Sequence, residues 1–505
     1  MALPAWLEPL PDAVQMRATD TWAIEEQGVP SLELMERAGA GLARVVAEHA
    51  PEGQLAFVCG KGNNGGDGLV AARVLRDQGR DVRVLCVEPP EDFEGDARRN
   101  LERLPGSPPD LFQPAGLEGA AAIVDALLGT GFSGTSREPA AGAIEAINAA
   151  GAPVIAADVP SGVDASTGAV EGAAVRAGAT ATFHQAKVGL HVAPGKRHAG
   201  EIRVIAIGIP PGAPTSASVG LVHPGVLAEI PRRDTGSTKF SEGTVLVAGG
   251  SRGLTGAPCL AAEAAARAGA GYVIAAVPGS LDTVFEVRLL EAMTHALPDE
   301  NGDLSAAAAD PLLEAAGRAD ALVLGPGLGR ADGTLELARA VAARAELPLL
   351  LDADGLNAHA QRLDDLAGRG APTILTPHAG ELARLLGTES AAVEAARLEH
   401  VRRAAQTAAA VIVLKGDDTL VAEPGGRVAV NGAASPGLAT AGTGDVLSGV
   451  IGAMLAKGLE PFTAACAGVH LHAGAGRRAA AARGVDGLIA RDVIEALPRE
   501  LADSR

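Results

Sequence analysis

From residue 55 the chain carries a series of short, near-continuous apolar runs: LAFVC, DVRVLCV, AAIVDAL, APVIAADV and EIRVIAIGI. A strand with one face in water alternates apolar and polar residues, whereas a strand covered on both faces needs no alternation. Runs this rich in Val and Ile therefore require a parallel sheet with helices on both sides, and helix-like stretches lie between them. One earlier stretch, SLELMERAGAGLARVVAEHA, puts Leu32, Met35, Leu42, Val45 and Val46 on one stripe, with Ser31 as the expected N-cap. The pattern predicts a doubly wound α/β fold.

The texture changes after Ile209. The stretch from Pro210 to Gly220 is rich in Pro, Gly, Ser and Ala and has no periodicity, so it reads as a linker. A second β/α series starts at GTVLVAGGS, with strand candidates GYVIAAV, ADALVLG, LPLLLDA, PTILT, AVIVLKG and RVAVNG. Two α/β domains are expected, 1–215 and 221–505, since 505 residues exceed what one core serves. Aromatics are only 2% of the chain, so both cores must be built from Ala, Val, Leu and Ile. The net charge of -19 argues against nucleic acid as a partner but leaves room for a small anion in a local pocket. Cys59, Cys86, Cys259 and Cys466 lie far apart, form no CxxC pair and read as buried thiols. The first residues lack a basic stretch followed by an apolar one, and no apolar run reaches membrane-spanning length. A cytoplasmic protein without a membrane partner is expected.

In the first half, GKGNNGGDG sits between a strand and a helix-like segment, where open α/β sheets bind ligands. Glycines there let main-chain amides approach phosphate oxygens. An Asn/Gly turn is the plain alternative. Two more strand ends carry polar groups. Asp125 is followed by Gly129 through Thr135, and Asp158 by Ser161. Asn64, Asp125 and Ser161 offer oxygens to a hard monovalent cation, and Asp67 or Asp158 a site for proton transfer. GNNGGDG, VDALLGTGFSG, DVPSGVD and KVGL…GEIRVIAIGIP together resemble the NAD(P)H-hydrate epimerase domain over residues 10 to 215. The resemblance implies a Rossmann-like domain that interconverts the R and S forms of hydrated NAD(P)H. It implies substrate contacts from Asn63, Asn64, Gly65, Gly66, Asp67, Gly129, Thr130, Gly131, Phe132, Ser133, Gly134, Thr135 and Asp158. It also implies potassium on Asn64, Asp125 and Ser161.

In the second half, AGTGDVLSG opens a helix with small residues. Its amides would form an anion hole, and Asp445 in the first turn would accept a proton from an attacking hydroxyl. A glycine-bearing helix start with an acid for the macrodipole is the alternative. VIVLKGDDT supplies Lys415, Gly416 and Thr419 for nucleotide phosphates, and TPHAGELARLLG brings His378 and Glu381 to a helix start, where His378 could equally be a packed cap. Asp352 and Asp354 suit either a capping role or Mg2+. With GPGLG and the TGA of Thr255–Ala257, these motifs resemble the ribokinase-like superfamily, and within it the ADP-dependent NAD(P)H-hydrate dehydratase, over residues 235 to 500. The resemblance implies Ala257, Gly327, His378 and Asp445 on the hydrated dinucleotide. It places Lys415, Gly416, Asp417, Asp418, Thr419 and Gly444 on ADP, with Mg2+ as companion ion. The implied substrates are NADHX and NADPHX, the hydrates of NADH and NADPH, with ADP as co-substrate and an assembly of like chains. Two rivals stand beside this reading: a vitamin-precursor kinase fused to a nucleotide-binding domain, and a non-catalytic nucleotide-binding protein.

Overall fold

The computed structural model describes residues 3–214, 216–432 and 434–503. The chain forms two compact units, Pro9–Val219 and the combination of Leu3–Glu8 with Gly220–Arg505. The second unit thus draws on a short segment from the start of the chain. There the strand Leu7–Pro9 lies at the sheet edge next to Val219–Val222. The His223 amide donates to the Trp6 carbonyl at 2.8 Å, and the Trp6 ring stacks on Phe462 with centroids 6.2 Å apart.

The described residues of the first unit form a seven-stranded sheet in the order Asp110–Leu111, Val82–Cys86, Leu55–Cys59, Ala122–Ala126, Val154–Ala157, Ala179–Phe183, Glu201–Ile205. Every pairing is parallel. Numbered along the chain, that order is 3-2-1-4-5-6-7, which reverses direction between the first and fourth strands. The reversal opens a crevice at the carboxyl ends, where such sheets bind ligands. Leu55, Phe57, Val58 and Cys59 are fully buried, as strands covered on both faces require.

The parallel part of the second unit's sheet has the same order. Met293–Leu297, Tyr272–Pro278 and Thr244–Ala248 are followed by Ala321–Leu324, Leu349–Leu351, Thr373–Leu375 and Val411–Leu414. Beyond these, Thr419–Ala422 and Val428–Asn431 continue the sheet antiparallel. The chain therefore repeats one topology in two units. The helices Gly256–Arg267, Thr443–Ala456 and Pro461–Arg483 contribute alanine and glycine at their crossings. A Cβ on Gly449 would lie 2.0 Å from the Ala261 carbonyl oxygen, so only glycine admits that approach.

Two local expectations change. Ser31 is the first residue of the helix Ser31–His49, whose N-cap is Pro30. The Ser31 hydroxyl donates to Asp96 at 2.5 Å instead of capping. GNNGGDG is largely not a loop: the helix Asn63–Asp77 starts inside it, with Gly62 as N-cap. A Cβ on Gly65 would sit 1.6 Å from the Gly60 carbonyl oxygen, and one on Gly68 would sit 2.6 Å from the Ala126 Cβ. These glycines bring the helix hard against the strand ends, which overrides their poor helix propensity. All four cysteines are buried and free, and no helix among the described residues is long and apolar enough to cross a membrane.

Candidate functional site

In the first unit, the ends of the first, second, fourth, fifth and sixth strands surround a cavity of about 810 Å³. Asn64 and Asp67 face it from the first turn of Asn63–Asp77, whose leading amides have no carbonyl ahead of them. Asp158 follows the fifth strand with φ at 64°, a strained region for a residue with a side chain. That turn aims its carboxylate into a ring of donors. Lys187 Nζ lies 2.5 Å from Oδ1, the Phe183 amide donates to Oδ1 at 3.3 Å, and both the amide (3.2 Å) and the hydroxyl of Thr130 donate to Oδ2. Burial favours the neutral acid, but Lys187 and these hydrogen bonds win, so Asp158 titrates below the ordinary carboxylate value. Asp67 has the opposite fate. Burial, and then the charges of Asp158 and Asp20, push its pKa well above the ordinary range despite Lys187. Asp20, on the same cavity wall, is pushed up to about 6, mainly by burial. The cluster sets a carboxylate whose charged form is favoured beside one whose neutral form is favoured.

Asn64, Asp125 and Ser161 meet at the backbone of Leu128. Asn64 Nδ2 donates to the Leu128 carbonyl at 3.0 Å, and the Leu128 amide donates to Ser161 Oγ at 2.9 Å. Ser161 donates to both oxygens of Asp125, from its amide at 2.8 Å and its hydroxyl at 2.6 Å. Asn64 Oδ1 is buried and makes no hydrogen bond. Burial raises Asp125 to about 6, although the bonds from Ser161 and Leu127 oppose it. An unpartnered amide oxygen beside a buried carboxylate is a donor set suited to a monovalent cation.

In the second unit, Asp352, Glu381 and Lys415 follow successive strands, the fifth, sixth and seventh, and converge. Lys415 Nζ lies 3.0 Å from Asp352 and 3.6 Å from Glu381, while Ser448 donates to the other Asp352 oxygen at 2.7 Å. Burial alone would lower the Lys415 pKa, but Asp352 and Glu381 outweigh it and raise it. A Cβ on Gly444 would sit 3.6 Å from Lys415 Nζ, so the ammonium lies beside the first turn of Thr443–Ala456. Asp445, in that first turn, is pushed up to about 7 by burial and then by Asp352 and Glu381, with Lys415 opposing.

The remaining sequence candidates of this unit fall around that core. Ala257 and Gly327 are neighbours: a Cβ on Gly327 would lie 3.2 Å from the Ala257 Cβ. His378 caps Ala379–Leu386, its Nδ1 accepting from the Gly380 amide at 3.0 Å, while its ring stays half exposed beside Glu381. Gly416 and Asp417 are exposed, and the Thr419 hydroxyl donates to the Gly416 carbonyl at 2.8 Å. Asp418 turns inward, fully buried against Arg397 at 3.0 Å. Asp354 is held by Arg330 at 2.8 Å and by Asn357 at 2.9 Å. In the first unit, Gly129, Thr130, Gly131, Phe132 and Ser133 line the cavity. Gly134 and Thr135 lie further along the same loop, where Thr135 donates to the Glu171 carbonyl at 3.3 Å.

Lys187 and Asp20 escape a reading of the sequence. Each is a single charged residue far in sequence from the glycine motifs, and only the KVGL stretch marks Lys187 at all.

Comparison with known proteins agrees with this geometry. Residues 245–499 match the family described as NAD(P)H-hydrate dehydratase, and residues 31–189 the family described as YjeF-related protein N-terminus. The chain is similar to the bifunctional NAD(P)H-hydrate repair enzyme Nnr of Moorella thermoacetica, with 41% identity over 96% of this chain and 95% of that protein. The enzyme of the same description from Salinibacter ruber is also 41% identical, over 98% of this chain and 96% of the relative. A solved ADP/ATP-dependent NAD(P)H-hydrate dehydratase from Bacillus subtilis, co-crystallised with ATP and Mg2+, is 30% identical with a TM-score of 0.49, covering 55% of this chain and 96% of its own. By identity sustained along nearly the whole chain, this protein belongs to the family of bifunctional NAD(P)H-hydrate repair enzymes.

Proposed function

We propose that the two units divide the repair of hydrated NAD(P)H, the first interconverting its R and S epimers and the second dehydrating the S form with ADP, giving AMP and phosphate. One observation carries this reading. In each unit a lysine holds one carboxylate while a second carboxyl beside it keeps a raised pKa.

The substrate carries a hydroxyl on a ring carbon bonded to nitrogen. Inverting that carbon means breaking one of its bonds to a heteroatom and remaking it from the other face. A proton must reach the departing atom and later leave it. Asp67, whose neutral form burial favours, supplies and recovers that proton, while Asp158 stays ionised against Lys187 and holds Thr130 in place. The loop Gly129–Thr135 and the helix start at Asn63 receive the rest of the dinucleotide. K+ would be held by Asn64 Oδ1, the Asp125 carboxylate and Ser161 Oγ, and would supply a fixed positive charge at the strand ends.

In the second unit, Asp445 takes the proton of the substrate hydroxyl as that oxygen attacks the terminal phosphoryl group of ADP. Lys415 and the amides at Gly444 balance the charge of the transferring group. The ring nitrogen then expels phosphate and restores NAD(P)H. Ala257, Gly327 and His378 face the substrate, and Gly416, Asp417 and Thr419 the nucleotide, with Asp418 anchoring that loop to Arg397. The carboxylates of Asp352 and Asp354 are engaged by protein cations, so Mg2+ would ride on the nucleotide phosphates. The reading includes an assembly of like chains in the cytoplasm, which sedimentation and cell fractionation test.

The decisive experiment supplies purified full-length protein with an R/S mixture of NADHX and ADP. Wild type converts both epimers to NADH. Asp67→Asn consumes only the S epimer, and Asp445→Asn equilibrates the epimers without forming NADH. Loss of both activities in both variants would refute the division of labour.

A further inference from the structure

Glu88 stands just beyond the second strand of the first unit, Val82–Cys86. The Val87 amide donates to the Cys59 carbonyl at 3.0 Å, which fixes Glu88 alongside Gly60 and Lys61 at the crevice. Its side chain lines the same cavity as Asp67 and Asp158. Its Oε2 is buried and makes no hydrogen bond, a costly arrangement that nothing in the fold requires. An unsatisfied acceptor on a ligand cavity calls for a donor from the ligand.

The position of the cavity says which part of the ligand that is. Glu88 follows the second strand and Asp158 the fifth, with the first and fourth between them. Three strand spacings separate the two, about 14 Å. The helix start at Asn63 lies between them and suits the pyrophosphate. The nicotinamide half must lie on the Asp67, Asp158 and Lys187 side, where the proton chemistry is. The adenosine half then extends toward Glu88, and a carboxylate at the end of a second strand is well placed for ribose hydroxyls.

We propose that Glu88 accepts hydrogen bonds from the adenosine ribose and so makes the first unit discriminate against NADPHX. A 2′-phosphate there would remove a donor and set its charge against a carboxylate. Asp96, on the same wall, adds negative charge, while Arg17 and Lys61, the cavity's cations besides Lys187, are exposed. The inference rests on the epimerase reading of this unit and deepens it to the choice between its two substrates.

The test compares kcat/KM for epimerisation of NADHX and NADPHX by full-length wild type, Glu88→Gln and Glu88→Arg. Wild type is expected to favour NADHX by about tenfold or more. Glu88→Gln narrows the ratio, mainly through the KM for NADPHX, and Glu88→Arg reverses it. A wild-type-like circular dichroism spectrum and unfolding transition in all three proteins verify that the variants fold. A wild-type ratio near unity, or one ratio shared by all three proteins, overturns the proposal while leaving the epimerase reading intact. Wild type that epimerises neither substrate sinks both.

Discussion

The two units share a strand order and a charge motif, and they differ in how far the lysine is exposed. Lys187 is about 1% exposed and spends its ammonium on Asp158, the Thr182 hydroxyl and the Phe183 carbonyl. Lys415 keeps 22% of its side chain exposed and sits beside the first turn of a helix. The first is an internal counter-ion, with nothing left for a ligand. The second can face a phosphoryl group. The neighbouring acids differ in the same sense. Asp67 is raised well above the ordinary carboxylate range by burial and by the charges of Asp158 and Asp20, whereas Asp445 lies near 7. On the proposed reading, one topology serves proton delivery in one unit and proton acceptance beside phosphoryl transfer in the other.

The largest effect should come from Asp445→Asn, which removes the proton acceptor and is expected to slow dehydration by about 10²–10⁴-fold. Epimerisation should be untouched, so a parallel fall in both rates, followed by NADH absorbance and epimer analysis, would break the comparison. Next, Lys187→Met leaves Asp158 buried without its counter-ion and should cost about 3–5 kcal/mol of stability in denaturant titrations of the full chain. Lys415→Met should cost clearly less, because that lysine is partly hydrated; equal losses would show that exposure does not distinguish the two.

The pH profiles sharpen the contrast further. Dehydration needs ionised Asp445, so its rate should fall about tenfold per pH unit below about 7. On the proposed reading epimerisation needs protonated Asp67, whose pKa burial raises, so its rate should fall and not rise as pH increases. The smallest effect concerns potassium. Asp125 has a folded-state pKa of about 6, above its ordinary 3.8, so the folded state binds the extra proton. Stability from this group is present below the ordinary value and is lost as pH rises through about 6. K+ on the ionised carboxylate restores it, so KCl should raise Tm by about 2–4 °C above pH 6 and by less at pH 5. A K+ effect independent of pH would remove Asp125 from the site.

Much of the frame was legible in the sequence because doubly covered strands are written in unbroken Val and Ile. Each run picked out from LAFVC to RVAVNG contains an observed strand. Strands of other composition were not legible: Ala179–Phe183 is alanine and threonine but for its last residue, and Met293–Leu297 is partly exposed and carries a histidine. The start of Asn63–Asp77 was read as a loop because Asn and Gly are poor helix formers, and only the packing of Gly65 on Gly60 reveals why they are there. Asp445 and Asp158 were legible because strand-end glycine motifs frame them. Lys187, Asp20 and the inward turn of Asp418 onto Arg397 depend on contacts between distant segments, which no local pattern encodes.

The segment Leu3–Glu8 has a practical consequence for dissecting the enzyme. Because the polypeptide visits the second unit, leaves to build the first and then returns, no single cut yields two intact halves. A fragment beginning at Gly220 would lack the rim strand Leu7–Pro9 and would bare the Phe462 ring that Trp6 now covers. Recombinant dehydratase made that way needs the missing hexapeptide grafted back, and its failure without that graft would be a fault of chain connectivity and not of chemistry.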